Sequence, residues 1–192
     1  MIFSKSLMVM TLALPILTTN AQDTTPKGFK FGAITLASGN NLSGYVKDNM
    51  RNNASIIFLK EQGGKKITYD GTQLNAIEIE GVKFICINND FFKVLSEGDL
   101  NFLQKSSNAK GKIVYNGTEA AVASGTDGKP GDYFIYRKNN HELKLITNKN
   151  IGEVISTSFE NYTAAIEKAQ EANGDPSQLK AAVDVYNKRA TN

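Results

Sequence analysis

The stretch AIEIEGVKFICINNDFFKVLSEGDLNFLQ, residues 76–104, decides the fold. It opens with alternating apolar and charged residues, which is typical of a β-strand with one buried and one wet face. Three further strand-like runs follow at 83–87, 91–95 and 100–104, separated by glycine and asparagine turns. Short strands at this regular spacing indicate an antiparallel sandwich, roll or small barrel.

The same pattern extends outward over residues 29–147, which we predict to be an antiparallel β region. At its C-terminal end, residues 133–147 predict a hairpin joined around Asn139-Asn140, because Asn tolerates the positive φ of primed turns. Residues 120–132 are rich in Gly and poor in apolar side chains. We expect a mobile loop there.

Beyond residue 147 the apolar period changes from two to about 3.6, so residues 148–189 are predicted to be helical. Thr157 and Glu160 fit a capping box for one helix, and Asp175-Pro176 fits the cap and first position of another. The predicted fold class is α+β. It is an antiparallel β-roll or sandwich of about 8–10 short strands, followed by C-terminal helices packed on it.

The N-terminus has the features of a targeting segment. Residues 1–21 are predicted to be a secretory signal peptide, with Lys5 as a positive start and small residues at the cleavage position. The apolar run at 7–17 is too short to span a bilayer stably. Residues 22–28 are then predicted to be a disordered linker.

Charge and cysteine content narrow the compartment and the partners. The chain carries 22 Lys and Arg against 19 Asp and Glu, a net charge of +3, and these residues are spread along it. That distribution does not predict nucleic-acid binding. An exported chain with the single cysteine Cys86 has no internal disulfide framework, which suits a periplasmic or outer cell-envelope location. No stretch of the mature chain approaches the roughly 18 apolar residues of a membrane helix, and the predicted partner is another envelope protein or a lipid.

The chain holds one His and one Cys, and neither is predicted to be catalytic. His141 lies beside the hairpin turn, with no group nearby in sequence to hold it as a base. Cys86 lies in an apolar strand, where burial raises the pKa of the thiol and makes it inert. We therefore predict no catalytic, cofactor-binding or metal-binding residue, and no cofactor.

Two pairs of carboxylates could carry chemistry, but a structural interpretation suits both better. Glu78 and Glu80 are expected about 6.6 Å apart on one strand face. Paired carboxylates can hydrolyse glycosides, although a solvated face explains these two more simply. Asp127 and Asp132 flank a Gly-Pro loop that could hold calcium. Because EF-hand spacing is absent, a solvated loop explains them better.

Two groups of aromatic residues could line a ligand groove. Phe91 and Phe92 are adjacent on a strand and should point to opposite faces of it. The other group, Tyr133, Phe134 and Tyr136, lies in the predicted hairpin. Core packing is the default interpretation of both groups, because aromatic side chains are usually buried.

One short sequence occurs twice. KITYDGT at 66–72 and KIVYNGT at 112–118 share five of seven residues, but their surroundings do not match as those of a structural repeat would. We interpret each as a strand that ends in a hairpin-forming Asp-Gly or Asn-Gly turn, and not as a ligand site. Gly71 and Gly117 should both lie in turns, where Ala would destabilise the protein if φ is positive.

Several segments of the mature chain occur together in one recognisable pattern: GAITL at 32–36, Ser38-Gly39, LSGYVK at 42–47, Ile67-Thr68-Tyr69, the hairpin at 133–147 and Val185-Tyr186-Asn187. In this combination the chain resembles a family of uncharacterised exported proteins found widely in Bacteroidetes-type Gram-negative bacteria. The resemblance covers residues 29–187. It implies export, a β-rich N-terminal part and a helical C-terminus. That family carries no established activity, so the resemblance implies no site residue.

Three functions fit these features. The first is a non-enzymatic periplasmic or cell-envelope protein that binds a protein or ligand, which requires an exposed apolar patch or an unpaired strand edge. The second is a small-molecule or lipid carrier with an apolar pocket of about 300–1,000 Å³ between sheet and helices. The third is a hydrolase with a carboxylate-based site, which requires a cleft where carboxylates converge.

Overall fold

The computed structural model describes residues 25–116, 119–122 and 124–189 of the 192-residue chain. The predicted signal peptide, residues 1–21, lies outside the described residues. The strands are β1 (Lys30–Leu36), β2 (Asn41–Asn49), β3 (Ser55–Leu59), β4 (Lys66–Asp70), β5 (Leu74–Ile79), β6 (Val82–Ile87), β7 (Asp90–Ser96), β8 (Leu100–Lys105), β9 (Ile113–Asn116), β10 (Glu119–Val122), β11 (Tyr133–Arg137) and β12 (Glu142–Ile146). The helices are α1 (Met50–Asn53), α2 (Ile151–Ser158), α3 (Thr163–Gln170) and α4 (Lys180–Lys188), with a 3₁₀ turn at Pro176–Leu179 before α4.

Ten strands form one antiparallel sheet in the order β12-β11-β8-β7-β6-β5-β1-β2-β3-β4. Strand β1 lies inside this sheet, with Gly32 opposite Gly44 of β2 on one side and Ile79 of β5 on the other. Strands β4 and β12 form the two edges. The remaining strands, β9 and β10, form a separate two-stranded hairpin.

The short connection between β4 and β5 shows that the sheet curls into a roll. Residues 71–73 alone join Asp70 to Leu74, which allows at most about 14 Å between the strand ends. In a flat sheet the three intervening strands would set β4 and β5 about 19 Å apart. The sheet therefore bends back until the end of β4 approaches the turn between β6 and β7, where Gly71 lies directly against the backbone of Asn89.

Buried apolar side chains from five strands and helix α1 meet inside the roll, and partly buried ones from β4 and β6 pack on them. Tyr69 of the edge strand β4 also packs there, edge-on against Phe58 with ring centroids 6.4 Å apart. Because successive side chains of a strand point to opposite faces, each strand contributes alternate residues to this interior. The roll core consists of Ile34, Val46, Met50, Ile56, Phe58, Leu74, Ile77, Ile79 and Phe91.

The other half of the sheet carries the C-terminal helices. Helix α2 packs against β12, and helix α4 packs against β7 and β8. The helix-side core consists of Leu100, Phe102, Ile135, Ile146, Ile151, Val154, Phe159, Ala165, Ala169, Ala172, Leu179, Ala182, Val183 and Tyr186. These buried side chains fill the space between the sheet and the helices.

One helix boundary differs from the prediction. Thr157, predicted to cap a helix, lies in the last turn of α2, where its hydroxyl donates to the Glu153 carbonyl at 2.9 Å. The chain then turns through Glu160 and Asn161, both with positive φ, before α3 begins. The capping-box prediction is wrong because a Thr hydroxyl can also bond the carbonyl four residues back within a helix.

The second helix start was predicted correctly. The carboxylate of Asp175 accepts a hydrogen bond from the Ser177 amide at 2.9 Å, and Pro176 occupies the first position. This element begins as a 3₁₀ turn and continues into α4.

The predicted fold class, an α+β antiparallel sheet followed by helices, is confirmed. The described residues contain twelve strands, more than predicted, and a short helix α1 between β2 and β3 that was not predicted. Where a linker was predicted, residues 25–28 include a turn in which the Phe29 amide donates to the Pro26 carbonyl at 2.9 Å. None of the helices in the described ranges is long and apolar enough to cross a membrane.

The two similar heptapeptides adopt different connections. Asn116 of β9 lies opposite Glu119 of β10, so KIVYNGT forms the predicted hairpin, although Gly117 itself lies outside the described residues. Gly71 lies in a turn, as predicted. That turn joins β4 to β5, which are not neighbours in the sheet.

Candidate binding surface

Strand β4 presents an edge that no other described strand covers. It pairs with β3 on one side, with Thr68 opposite Ile57, and has no strand partner on the other side. Lys66, Ile67 and Thr68 are all exposed. The opposite edge strand, β12, also pairs with only one described strand, and helix α2, which follows it, packs on it through Ile146, Ile151 and Val154 of the helix-side core. We call the unpaired side of β4 the open edge.

The hairpin of β9 and β10, which we call the arm, exposes an apolar face. Ile113 lies opposite Val122, so the two side chains share one face of the arm, and Tyr115 lies on the same face two residues further along β9. Their exposed fractions are 56% for Ile113, 70% for Val122 and 71% for Tyr115. Exposed apolar groups of this size at one place are typical of an interaction surface.

A single carboxylate, that of Asp90, holds both ends of the segment that contains the arm. One of its oxygens accepts hydrogen bonds from the Ala109 amide at 2.8 Å and the Ser107 hydroxyl at 2.7 Å. The other accepts from the amide and the hydroxyl of Thr126, both at 2.8 Å. The predicted loop at 120–132 is thus strand β10 in part, and it is attached to the sheet at the buried Thr126.

Lys105 neutralises this carboxylate. Its Nζ lies 3.0 Å from Asp90 Oδ2, and both side chains are fully buried. The same ammonium donates to the carbonyls of Thr126, Asp127 and Gly128 at 2.8 to 3.2 Å. A buried ion pair is tolerated when further hydrogen bonds satisfy both groups, and that condition is met here.

The pKa of Asp90 reflects two opposing effects. Burial alone would raise the pKa of this carboxyl, because it penalises the charged form. The hydrogen bonds from Thr126, Ser107 and Ala109, with that from Lys105, outweigh burial and hold the pKa of Asp90 below its ordinary value. Asp90 is therefore charged at neutral pH.

A polar cleft of about 610 Å³ lies beside the open edge. Lys112, at the start of the arm, donates to the Ala54 carbonyl at 3.1 Å, and its Nζ lies 4.0 Å from Asp70 Oδ2 at the end of β4. These contacts place the base of the arm next to the end of β4. The cleft is lined by Asn49, Asn52, Asn53, Ser55, Ile57, Thr68, Asp70, Asn108, Lys110, Gly111 and Lys112.

A second cleft of about 390 Å³ lies between one end of the sheet and the helices. Its charged groups compensate one another. Arg137 pairs with Glu160 at 2.6 Å, and Arg189 lies 3.8 Å from Glu160 and 3.9 Å from Asp99. No uncompensated charge in this group points to an ionic ligand.

The two candidates for nucleophilic or acid-base chemistry lie apart from both clefts. His141 is exposed in the β11–β12 turn, with its Nδ1 3.0 Å from the Tyr136 hydroxyl oxygen. Cys86 faces the roll core, where burial, with a smaller contribution from Asp70, raises the pKa of its thiol far above the ordinary value. His141 is thus an exposed turn residue, as predicted, and Cys86 is partly buried.

The glutamate pair does not lie on one strand face as predicted. Glu78 lies within β5, but the strand ends at Ile79, and Glu80 is in the turn with φ of 49°. The Glu80 carboxylate pairs with Lys30 at 2.7 Å. The alternation of the sequence continues for one residue beyond the strand, so periodicity alone could not show that the strand had ended.

The aspartates predicted as a possible calcium pair have other partners. The Asp132 carboxylate accepts a hydrogen bond from the Lys129 amide at 2.8 Å, and the Asp127 carboxylate lies 3.9 Å from the Lys110 ammonium. In the described part of the chain no group of three or more His, Cys, Asp or Glu residues could hold a metal ion.

The aromatic groups form core rather than a groove. Phe91 lies in the roll core, and Phe92 packs edge-on against Phe134 on the opposite face of the sheet. Both phenylalanines of β7 are fully buried. Tyr133 stacks on Phe102 against the helices, with ring centroids 5.4 Å apart. The default prediction of core packing is confirmed for these residues.

Sequence reasoning missed Asp90 and Lys105. Asp90 stands in an Asn-Asn-Asp run that reads as an ordinary turn, and Lys105 directly follows a predicted strand. A weak signal was present, since Lys105 continues the alternation of Asn101 and Leu103 toward a buried face.

Comparison with known proteins gave no match to a protein-family model, a curated protein or a solved structure.

Proposed function

We propose that this chain is an exported, non-enzymatic protein of the periplasm or outer cell envelope that binds an extended segment of a partner protein. The binding surface is the open edge of β4 together with the arm. The observation that carries this proposal is the open edge of β4 lying next to an arm that exposes Ile113, Tyr115 and Val122.

The chemistry of the surface favours a polypeptide partner. An open strand edge offers unpaired amide and carbonyl groups to an added strand, and neighbouring side-chain sites then supply specificity. The Asn residues that line the polar cleft offer both donors and acceptors to a polar chain. The exposed residues of the arm suit apolar side chains at alternate positions of the partner.

The other two hypotheses gain no comparable support. The helix-side core occupies the space between sheet and helices where a carrier would need its pocket, and the cleft of about 390 Å³ at one end of that space is lined by charged and polar residues instead of apolar ones. The carboxylates invoked for a hydrolase, Glu78 and Glu80, lie on a strand and in a turn, and Glu80 is already paired with Lys30.

Site-specific photo-crosslinking in the native envelope tests the proposal. A photoreactive phenylalanine analogue is introduced at Thr68 of β4, at Tyr115 of the arm, or at the exposed Asn139 as a control. We expect the same discrete protein adduct from the first two positions and none from the control.

A second variant tests whether the strand edge carries the binding. Ile67→Lys places a charge on β4, which opposes strand addition, and should remove the adducts without unfolding the protein, as judged by circular dichroism. Equal labelling at all three positions, or adducts that persist in the folded Ile67→Lys variant, would contradict the proposal.

A further inference from the structure

The repeated sequence places the same side chains in two different environments. Strand β4 reads KITYD, and β9 with the preceding Lys112 reads KIVYN. Tyr69 of β4 packs against Phe58 in the roll, whereas Tyr115 of β9 is 71% exposed. The chain therefore contains a near copy of its own edge strand, and that copy is uncovered.

The two strands are complementary when they are placed antiparallel. With Asp70 opposite Lys112, Tyr69 falls opposite Ile113 and Ile67 falls opposite Tyr115. Opposite charges and aromatic–β-branched pairs are the cross-strand combinations that stabilise a sheet. The near copy is therefore a suitable partner for the open edge of β4.

The first pair of this register is already close in the structure. Lys112 Nζ lies 4.0 Å from Asp70 Oδ2, at the C-terminal end of β4. The Lys112 amide donates to the Ala109 carbonyl at 2.9 Å, and Ala109 is itself held by Asp90. The start of β9 is thus fixed next to the end of β4, and a strand that runs back from there follows the open edge.

Exposed apolar groups lie on both of these strands. Ile67 of β4 is 41% exposed, and it would meet Tyr115 in the register above. Val122 shares the face of Ile113 on the arm. An isolated two-stranded hairpin is only marginally stable in water, so addition to the roll offers the arm the burial it lacks alone.

We propose that β9 adds to the open edge of β4 within the same molecule, so that the arm competes with the partner segment for this edge. The competition rests on the proposed function, whereas the strand addition does not. In the added state, the roll gains a strand and the partner-binding edge is covered.

Disulfide trapping tests the strand addition. In a Cys86→Ala background, the pair Ile67→Cys and Tyr115→Cys joins positions that face each other in the register, within the reach of a disulfide. Mild oxidation should give a monomer whose intact mass is lower by two hydrogens. The control pair, Ile67→Cys and Val122→Cys, places the second thiol on the far strand of the arm and should stay reduced.

Two results would overturn the strand addition. One is the absence of a disulfide in the Ile67–Tyr115 pair when circular dichroism shows a folded protein. The other is a disulfide found only between molecules, which would mean that the edge takes a second copy of the chain instead.

The competition is tested in the same trapped protein with the photoreactive group at Thr68. Oxidation should abolish the partner adduct, and reduction should restore it. An adduct that persists after trapping would contradict the competition. If the protein with its natural Ile67 and Tyr115 gives no adduct at Thr68, the proposed function fails, while the trapping result still decides the strand addition.

Discussion

Asp90 carries a negative charge in a position that water does not reach. Such a charge is tolerated because Lys105 and four hydrogen-bond donors surround it. Each of these partners belongs to β8 or to the chain on either side of the arm. Asp90 therefore attaches the chain on both sides of the arm to the sheet.

Asp90→Asn should lower the free energy of unfolding by about 3–5 kcal/mol, because it leaves the Lys105 charge buried without its partner. Chemical denaturation of the full chain measures this loss. The control is Asp99→Asn, since the Asp99 side chain is 63% exposed and lies 3.9 Å from Arg189. The control should change stability by no more than about 0.5 kcal/mol, and equal losses in the two variants would contradict a special role for Asp90.

A comparison of wild type with Asp90→Asn also gives a prediction for the pH dependence of stability. The pKa of Asp90 is lower in the folded protein than its ordinary value, so its charge contributes fully above that ordinary pKa, about 3.9. The contribution is lost as the pH falls through the folded pKa. The stability difference between wild type and Asp90→Asn should therefore stay constant from pH 7 to about pH 5 and narrow at lower pH. A difference that widens on acidification would contradict the pKa direction.

Gly71 is required for a reason other than the one predicted. Its φ is not positive, but a Cβ atom there would lie 2.2 Å from the Asn89 carbonyl oxygen. Gly71→Ala should cost about 1–3 kcal/mol, as overpacking does. A methyl group at Gly152 in α2 would meet open space, so Gly152→Ala should be neutral or stabilising. Thermal unfolding of both variants checks the pair, and an unaffected Gly71→Ala would show that the β4–β5 corner can yield to a side chain.

At the scale of the elements, one side-chain amide of helix α4 pairs with the backbone of the sheet. Asn187 donates to the Leu100 carbonyl at 2.8 Å and accepts from the Leu100 amide at 3.1 Å, as a neighbouring strand would. Leu100 is fully buried. This geometry gives a physical role to the last residue of the Val185-Tyr186-Asn187 segment.

Asn187→Ala should lower the free energy of unfolding by about 1–3 kcal/mol, because the buried amide and carbonyl of Leu100 lose their partner. Denaturant titration measures the loss. Asn139→Ala, in the exposed β11–β12 turn, is the matched control and should be close to neutral. If both variants behave alike, the Asn187 amide does not contribute to the stability of the protein.

The elements also show what sequence can and cannot predict. Alternation and turn residues located most strands correctly, because each strand has one buried face. Whether a turn joins two strands that are neighbours in the sheet is not shown by these patterns. Asp70-Gly71 and Asn116-Gly117 have the same hairpin signal. The segment with Asn116 joins the neighbouring strands β9 and β10, whereas the segment with Asp70 joins β4 to β5, which are separated in the sheet by β1, β2 and β3. Local turn chemistry does not encode which strands become neighbours.

The candidate surface was less predictable than the fold for the same reason. Asp90, Ala109 and Thr126 are far apart in sequence, and no local pattern marks them as partners. The sequence could not show that Tyr115 is exposed while Tyr69 is partly buried, because the two tyrosines have almost identical neighbours in the sequence. Only the pairing of whole strands distinguishes them.

For the whole molecule, β7 connects two cores. Phe91 on one face belongs to the roll core, whereas Leu95 packs on the helix-side core. Helix α4 packs on β7 as well. A strand that contributes to both cores should make them unfold together.

Phe91→Leu tests this coupling, with an expected cost on the order of 1 kcal/mol. Tyrosine fluorescence and far-UV circular dichroism should shift to the same lower denaturant midpoint, as one cooperative transition requires. Phe31→Leu, at a side chain that is 64% exposed, serves as the control and should leave both midpoints in place. Two separate transitions in the Phe91→Leu variant would show that the halves unfold independently.

The central position of β1 also has a consequence for how the chain reaches this structure. Strand β1 pairs with its neighbour in sequence, β2, across a short turn, but its other partner, β5, follows β3 and β4 in the sequence. Pairings between distant segments slow folding, because the loop must close before the contact contributes. During that interval the uncovered side of β1 is an unpaired edge inside a growing sheet. Until β5 pairs with it, this edge can take strands of other chains, so the time that β5 needs determines how long the folding chain is open to aggregation.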